Sequence, residues 1–310
     1  MSVAGLAYVA LAVRDVATTA KVLEQQFGLG RREARTQDGR PVPLFGVGES
    51  ALAVFASDDP FLGGEATTGV HHIAIATPDA EKLAQSLGIA PGVAGPGLDG
   101  GCELRLDSSA TCGVRTRLCP ALEPVSGGDD RIERIDHVGV ASEDNRAATE
   151  IFANRLGLTV ESTQTDLEVH TATESFTSDR YGVVYHSRAP RIVGGLRVSF
   201  ISVGDCELEF LQPFAADTAA GVDEALGAGP GNTRGDKGAI GRHMERHGPG
   251  LHHLALKTAD IDAALAAFSQ QGLSLIDSRG RPGSRRARIG FIHPRSLAGI
   301  LVHLVERDDI

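Results

Sequence analysis

Two histidine doublets limit the chemistry open to this chain. His252-His253 begins the apolar run Gly250-Leu251-His252-His253-Leu254-Ala255-Leu256, and Val70-His71-His72-Ile73-Ala74-Ile75 repeats it. Ile135-Asp136-His137-Val138-Gly139-Val140 keeps one imidazole, and Leu6-Ala7-Tyr8-Val9-Ala10-Leu11 has none. Neutral imidazole is a metal ligand, and a repeated unit with an imidazole at a strand start can build a metal site where units meet. A hydrogen-bonded core histidine is the structural alternative at each position.

The elements around these runs repeat as well. Each run is followed by a polar turn, an amphipathic helix and a glycine (Gly28, Gly88, Gly157, Gly272). The spacing predicts helices over about 15–27, 79–87, 144–156 and 260–271. Further strands are expected at Gly182 to Ser187, Leu196 to Val203, Cys206 to Leu211, and near 286–293 and 299–306. The stretch Cys119 to Asp130, with two prolines and two glycines, reads as a linker. Each unit is thus β-α-β-β-β, with an exposed sheet face that must pair to be buried. The expectation is an α+β fold: four such modules in two halves, 1–118 and 131–310, each a cupped mixed sheet with helices outside. The glycine-rich stretch 226–241 lacks a phosphate-loop pattern and reads as a mobile crossover, with a lid as the second reading.

A chain of 310 residues, 42% hydrophobic and 23% charged, is long enough for about two domains. No apolar run approaches 18 residues, so no membrane span is expected, and no signal peptide is read. Thirty basic against forty acidic residues leave a net charge of −10, which disfavours nucleic acid. Four cysteines without C-x-x-C spacing point to reduced thiols and a cytoplasmic protein. A local basic loop (Arg279, Arg281, Arg285, Arg286, Arg288) reads either as a grip for an anionic group or as a solvated hairpin.

The repeat resembles the vicinal oxygen chelate superfamily, which includes glyoxalase I, extradiol dioxygenases and methylmalonyl-CoA epimerase. The resemblance is sharpest at the runs from Ile135 and Gly250, at Glu207-Leu208-Glu209-Phe210-Leu211-Gln212-Pro213, and at Phe291-Ile292-His293-Pro294-Arg295-Ser296 with Gly299-Ile300-Leu301-Val302-His303-Leu304. These look like successive signatures of methylmalonyl-CoA epimerases. The resemblance implies one divalent metal (zinc, cobalt, nickel, manganese or iron(II)) on His137, Glu209, His253 and His303. It places His252 on the opposite face of its strand, and Glu306 opposite His303. His303 stands where those epimerases have a glutamate, and Tyr185 where they have an acid-base glutamate. In the N-terminal half the same four places fall on Tyr8, Ala53, His72 and Arg105, which implies a degenerate site, a structural role and an oligomer interface, with a homodimer expected.

The chemistry so implied is proton abstraction next to a carbonyl of a small chelating hydroxyketone, such as the cyclitol 2-epi-5-epi-valiolone. Catalytic candidates are Glu209, His303, Tyr185 and His186. Two alternatives stay open: an iron(II) dioxygenase of the same superfamily, and a non-catalytic small-molecule binding protein.

Overall fold

The computed structural model describes residues 3–86, 88, 92–215 and 233–308. Its first sheet contains β1 (Gly5–Val13), β2 (Arg31–Arg35), β3 (Pro41–Val47), β4 (Ser50–Ala56), β5 (Gly69–Ala76), β6 (Val93–Pro96), β7 (Cys102–Arg105) and β8 (Thr116–Cys119). Helices α1 (Val16–Gln25) and α2 (Ala80–Ser86) follow β1 and β5. Between the sheets in sequence, β9 (Arg134–Ala141) is followed by α3 (Asn145–Thr149), β10 (Thr159–His170), β11 (Thr173–Ser178), β12 (Gly182–Ser187), β13 (Arg191–Val203) and β14 (Cys206–Ala215). The last module has α4 (Thr233–His247), β15 (Gly250–Lys257), α5 (Ile261–Gln270), β16 (Arg281–Pro282), β17 (Arg288–Ile292) and β18 (Val302–Glu306).

The two eight-stranded sheets have the same order, β2-β3-β4-β1-β5-β8-β7-β6 and β10-β13-β14-β9-β15-β18-β17-β16. Within a module the first strand lies parallel to the last, as β9 to β14 and β15 to β18. Modules join through antiparallel first strands, β1 with β5 and β9 with β15. The architecture is therefore the paired β-α-β-β-β one that the repeat predicts.

Local chemistry starts and stops the helices. Asp15, Asp144 and Asp260 accept backbone N–H bonds at the N-termini of α1, α3 and α5. Gly28, Gly157 and Gly272 follow these helices at φ +73°, +75° and +87°, where a side chain would be strained. The third helix reaches its expected end only by changing pitch: α3 passes into a π-helical segment, Glu150–Arg155.

Alternation along the strands separates two environments. Val9, Leu11 and Val13 of β1 join Val138 and Val140 of β9 in one apolar cluster shared by both sheets and their helices. Phe27 and Phe268 meet there with ring centroids 4.7 Å apart. The opposite face of the first sheet is filled by Tyr8, Ala10, Leu44, Ala53 and Phe55. The opposite face of the second sheet bounds a cavity of about 600 Å³.

Two expectations are corrected. Residues 226–232 lie outside the described residues, and from Thr233 the glycine-rich stretch is helix rather than loop. Ile240 of α4 is buried among Leu196, Val198, Phe200 and Leu211, with Met244 beside it, so packing overrides the low helix propensity of its glycines. The strand at 182–187 forms, but it pairs only with β11 in a separate two-stranded ribbon. Among the described residues no helix is long and apolar enough to cross a membrane.

Candidate metal centre

β9, β14, β15 and β18 are adjacent at the middle of the second sheet, and each carries one of the four residues implied for the metal. The ladders pair Glu209 with Gly139, His253 with Gly139, and His303 with Ala255. Glu209 Oε2 lies 3.3 Å from His137 Nε2 and 3.4 Å from His253 Nε2. The His303 ring is 5.1 Å from that of His137 and 5.0 Å from that of His253, centroid to centroid. All four side chains are buried.

His137 Nε2, His253 Nε2 and His303 Nδ1 are buried and form no well-aligned hydrogen bond, although the first two face the Glu209 carboxylate, and the three imidazoles each offer a nitrogen within 4.8 Å of the others. Buried polar atoms are rarely left so. Two ligands each about 2.1 Å from one cation in a tetrahedral field stand about 3.4 Å apart. The separations of the Glu209 carboxylate from His137 and His253 are of that size, and with the three converging imidazoles the donor set fits a divalent cation.

In the metal-free protein the electrostatics leave a carboxylate ionised beside a protonated imidazole, whose proton a bound cation would displace. Burial pushes Glu209 up, but the facing His137 and His253 outweigh it and hold the carboxylate well below its usual range. Burial alone would lower His137, yet Glu209 and Asp136 keep it up at about 9. His303 is driven well below the ordinary imidazole value by burial and by its histidine neighbours.

Two residues that support this geometry escaped sequence reasoning. The β9–β15 ladder shifts register twice, once at Asp136 and once at His252. Such bulges re-aim side chains. Asp136 thereby turns beside His137 and accepts from its Nδ1 at 2.8 Å, while Arg307 donates to Asp136 from the other side at 2.8 Å. His252, expected to face away, instead lines the cavity and lies 3.0 Å from His253 Nδ1 through its own Nδ1. Period-two reading cannot register a bulge, although a doublet repeated in both halves is the available signal.

Gly139 supports the same geometry by leaving room for a ligand. A Cβ there would fall 2.0 Å from Cε1 of His253. Gly139→Ala is expected to push the imidazole aside and lower metal affinity about 10–100-fold, the scale on which supporting groups act, with the fold kept. Calorimetric metal titration beside a circular-dichroism melt checks both halves of that statement.

Other candidates are placed elsewhere. Tyr185 and His186 are exposed on the β11–β12 ribbon and do not line the cavity. The strand beside β14 is β13, with Phe200 opposite Glu209, so the matched motif lies one strand too early. Glu306 does face away from the cluster, accepting from Ile261 N and binding Arg288. Within the basic loop, Arg285 is not solvated. It binds Glu207 at 2.7 Å and Asp136 at 3.4 Å, and its guanidinium stands 3.6 Å from the Phe200 ring centroid.

In the first sheet Ala74 pairs with Arg117, as Ala255 pairs with His303. Arg117 therefore takes the fourth place assigned above to Arg105, which sits one strand further out on β7. Arg117 binds Glu103 at 2.8 Å, Glu103 accepts from Tyr8, and Tyr8 meets His72 at 3.3 Å. Tyr8, His72 and Arg117 occupy, in the first sheet, places that correspond to three of the four candidate ligands of the other sheet.

Burial lowers His71 to about 3, with Arg115 adding, and drives His72 well below its ordinary value. Both are neutral in the fold and gain protons on unfolding below about pH 6.5. Stability is thus full above that pH and falls beneath it, by about 2 kcal/mol per histidine at about pH 5. His71→Gln and His72→Gln should each remove about that much of the loss, measured by urea unfolding at about pH 7.5 and 5.

Comparison with known proteins agrees with the geometry. Residues 136–291 match the model of the Glyoxalase/Bleomycin resistance protein/Dioxygenase superfamily. An uncharacterized protein of Bacillus subtilis (strain 168), YqjC, is 27% identical over 175 residues, 56% of this chain and 93% of that protein. The mitochondrial methylmalonyl-CoA epimerase of Dictyostelium discoideum is 22% identical over 177 residues, 57% of this chain and 80% of that one. A mutant 4-hydroxymandelate synthase from Streptomyces coelicolor shares the fold over 99% of this chain and 94% of its own, with a TM-score of 0.63 at 16% identity. Since the matched stretch spans half of the sequence and includes His137, Glu209 and His253, this chain belongs to the Glyoxalase/Bleomycin resistance protein/Dioxygenase superfamily.

Proposed function

We propose that this protein is a metal-dependent epimerase or isomerase that removes and returns a proton next to the carbonyl of a small chelating hydroxyketone, a cyclitol such as 2-epi-5-epi-valiolone being one example. The observation that carries this reading is the convergence of three buried imidazole nitrogens and one carboxylate at the wall of a cavity of about 600 Å³. Methylmalonyl-CoA epimerases among the relatives support the reaction class.

His137, Glu209, His253 and His303 would hold the metal. Bound there, a divalent cation would chelate two adjacent substrate oxygens and stabilise negative charge developing on the carbonyl oxygen. Asp136 fixes the tautomer of His137 by accepting its Nδ1–H. Leu196, Leu211 and Ile289 give the cavity an apolar wall that lowers the local dielectric around developing charge. Under this reading residues 131–310 form the active half, and residues 1–118 form a structural half.

The test is elemental analysis of the purified protein together with deuterium wash-in from heavy water into chelating hydroxyketones. One equivalent of metal and solvent deuterium at the α-carbon are expected. Metal-bound protein that exchanges no such proton but consumes oxygen with iron(II) would move the assignment to a dioxygenase.

A further inference from the structure

With Glu209 among the metal ligands and Tyr185 and His186 outside the cavity, the groups that move the proton must come from elsewhere. Besides Glu209, three carboxyls line the same cavity: Asp136, which is engaged by His137, Arg307 and Arg285, and Asp166 and Asp236. Asp166 stands on β10, two residues beyond Gln164, whose side-chain amide donates to it, and Ser284 lies 3.5 Å away. Asp236 stands on α4, 3.5 Å from Arg281. That helix packs across β10, β13, β14, β9 and β15. One carboxyl therefore enters the cavity from the sheet and the other from the helix lying over it.

Their surroundings suit proton transfer. Burial raises the Asp166 carboxyl above its usual range, and the charge of Glu209 adds to it. Burial likewise raises Asp236, outweighing the opposing Arg281. A carboxyl so placed keeps a proton closer to neutrality and is a better acid-base group there. Arg117 and Glu103 in the first sheet have no such role, being locked to each other.

We propose that Asp166 and Asp236 are the two catalytic proton-transfer residues of this cavity, one working on each face of the substrate stereocentre. The proposal rests on the epimerase reading above. In the forward step the ionised carboxylate takes the α-hydrogen as a proton. The C–H electron pair becomes the carbon–carbon π bond of an enolate, and the carbonyl π pair moves to oxygen. The second carboxyl then gives its proton to the opposite face of the α-carbon, the carbonyl re-forms and configuration is inverted. One carboxyl ends protonated and the other ionised, so a proton exchange with water resets the pair.

The experiment uses the full-length metal-loaded protein in heavy water with (R)- and (S)-2-hydroxycyclohexanone as probes. Wild type should exchange and invert both. Asp166→Asn and Asp236→Asn should each slow inversion by about 10²–10⁴-fold, the span of general acid–base catalysis. Each variant should keep deuterium exchange without inversion for one enantiomer only, and the two should keep opposite enantiomers. Both variants should retain the wild-type metal content and melting curve. A variant that inverts either probe within a few-fold of wild type, or that loses its metal, overturns the pairing while leaving the epimerase reading in place. A wild type inert toward both probes would remove the epimerase reading for cyclic hydroxyketones and this pair with it.

Discussion

Glu209→Gln is expected to lower divalent-metal affinity by about 10²–10³-fold while the folded state survives. Spread over four ligands, a site worth about 10–16 kcal/mol gives about 2.5–4 kcal/mol each. The amide keeps the shape of the carboxylate but removes the only negative charge in the ligand set. His137 loses the partner that, with Asp136, holds it protonated in the metal-free protein. It can then become neutral in place, so no buried charge is stranded. His253→Ala should act on the same scale, because its buried Nε2 faces Glu209 within the same cluster of donors. Asp136→Asn should cost less, about 10–100-fold, since it acts on the metal through His137 rather than as a ligand. Tyr185→Phe should leave binding unchanged, being exposed outside the cavity. Calorimetric titration with zinc and manganese, beside elemental analysis, separates these cases. Wild-type metal content in both Glu209→Gln and His253→Ala would remove the cation from the account of this site.

The four candidate ligands were legible through the family resemblance of the runs that carry them, and the apolar neighbours of Glu209 on its strand added an inward-facing carboxylate. Their support was not. Asp136 and His252 are adjacent to ligands in sequence, and regular alternation sends adjacent residues to opposite faces. Only the two register shifts in the β9–β15 ladder turn them inward. Asp166 lies on β10, whose residues are half-buried or exposed and mostly polar, so no hydrophobic pattern marked it as a strand of the sheet. Asp236 lies in a glycine-rich stretch that is helical because Ile240 and Met244 find an apolar seat. Tyr185 shows the reverse error. Its strand was legible, but the ribbon that carries it away from the sheet is a matter of which strand pairs with which. Arg105 and Arg117 differ in the same way: both are inward arginines on short neighbouring strands, and only the ladder with β5 distinguishes them.

Glu103→Ala is expected to destabilise the protein by about 3–5 kcal/mol, the cost of removing one partner of a buried ion pair. Glu103 is 1% exposed and binds Arg117 and Tyr8 together. Without it the Arg117 guanidinium keeps, among the described residues, the Phe61 carbonyl at 2.8 Å and the Phe61 ring at 4.6 Å, which do not balance a full charge away from water. Pairing Glu103→Leu with Arg117→Met should recover most of the loss, because the surrounding groups include Phe55, Phe61 and Leu98 and apolar replacement of a buried ion pair is often neutral or stabilising. Urea unfolding measures both variants. Metal content should be unchanged in either, since these residues belong to the other sheet. If the paired variant were as unstable as Glu103→Ala, the ion pair would be doing more than filling the first cup, and the view of that half as a plugged copy of the site would be wrong. If it recovers, one half of the repeat keeps its sheet by satisfying polar groups internally, and the other leaves the equivalent nitrogens without well-aligned hydrogen bonds, for a ligand to satisfy.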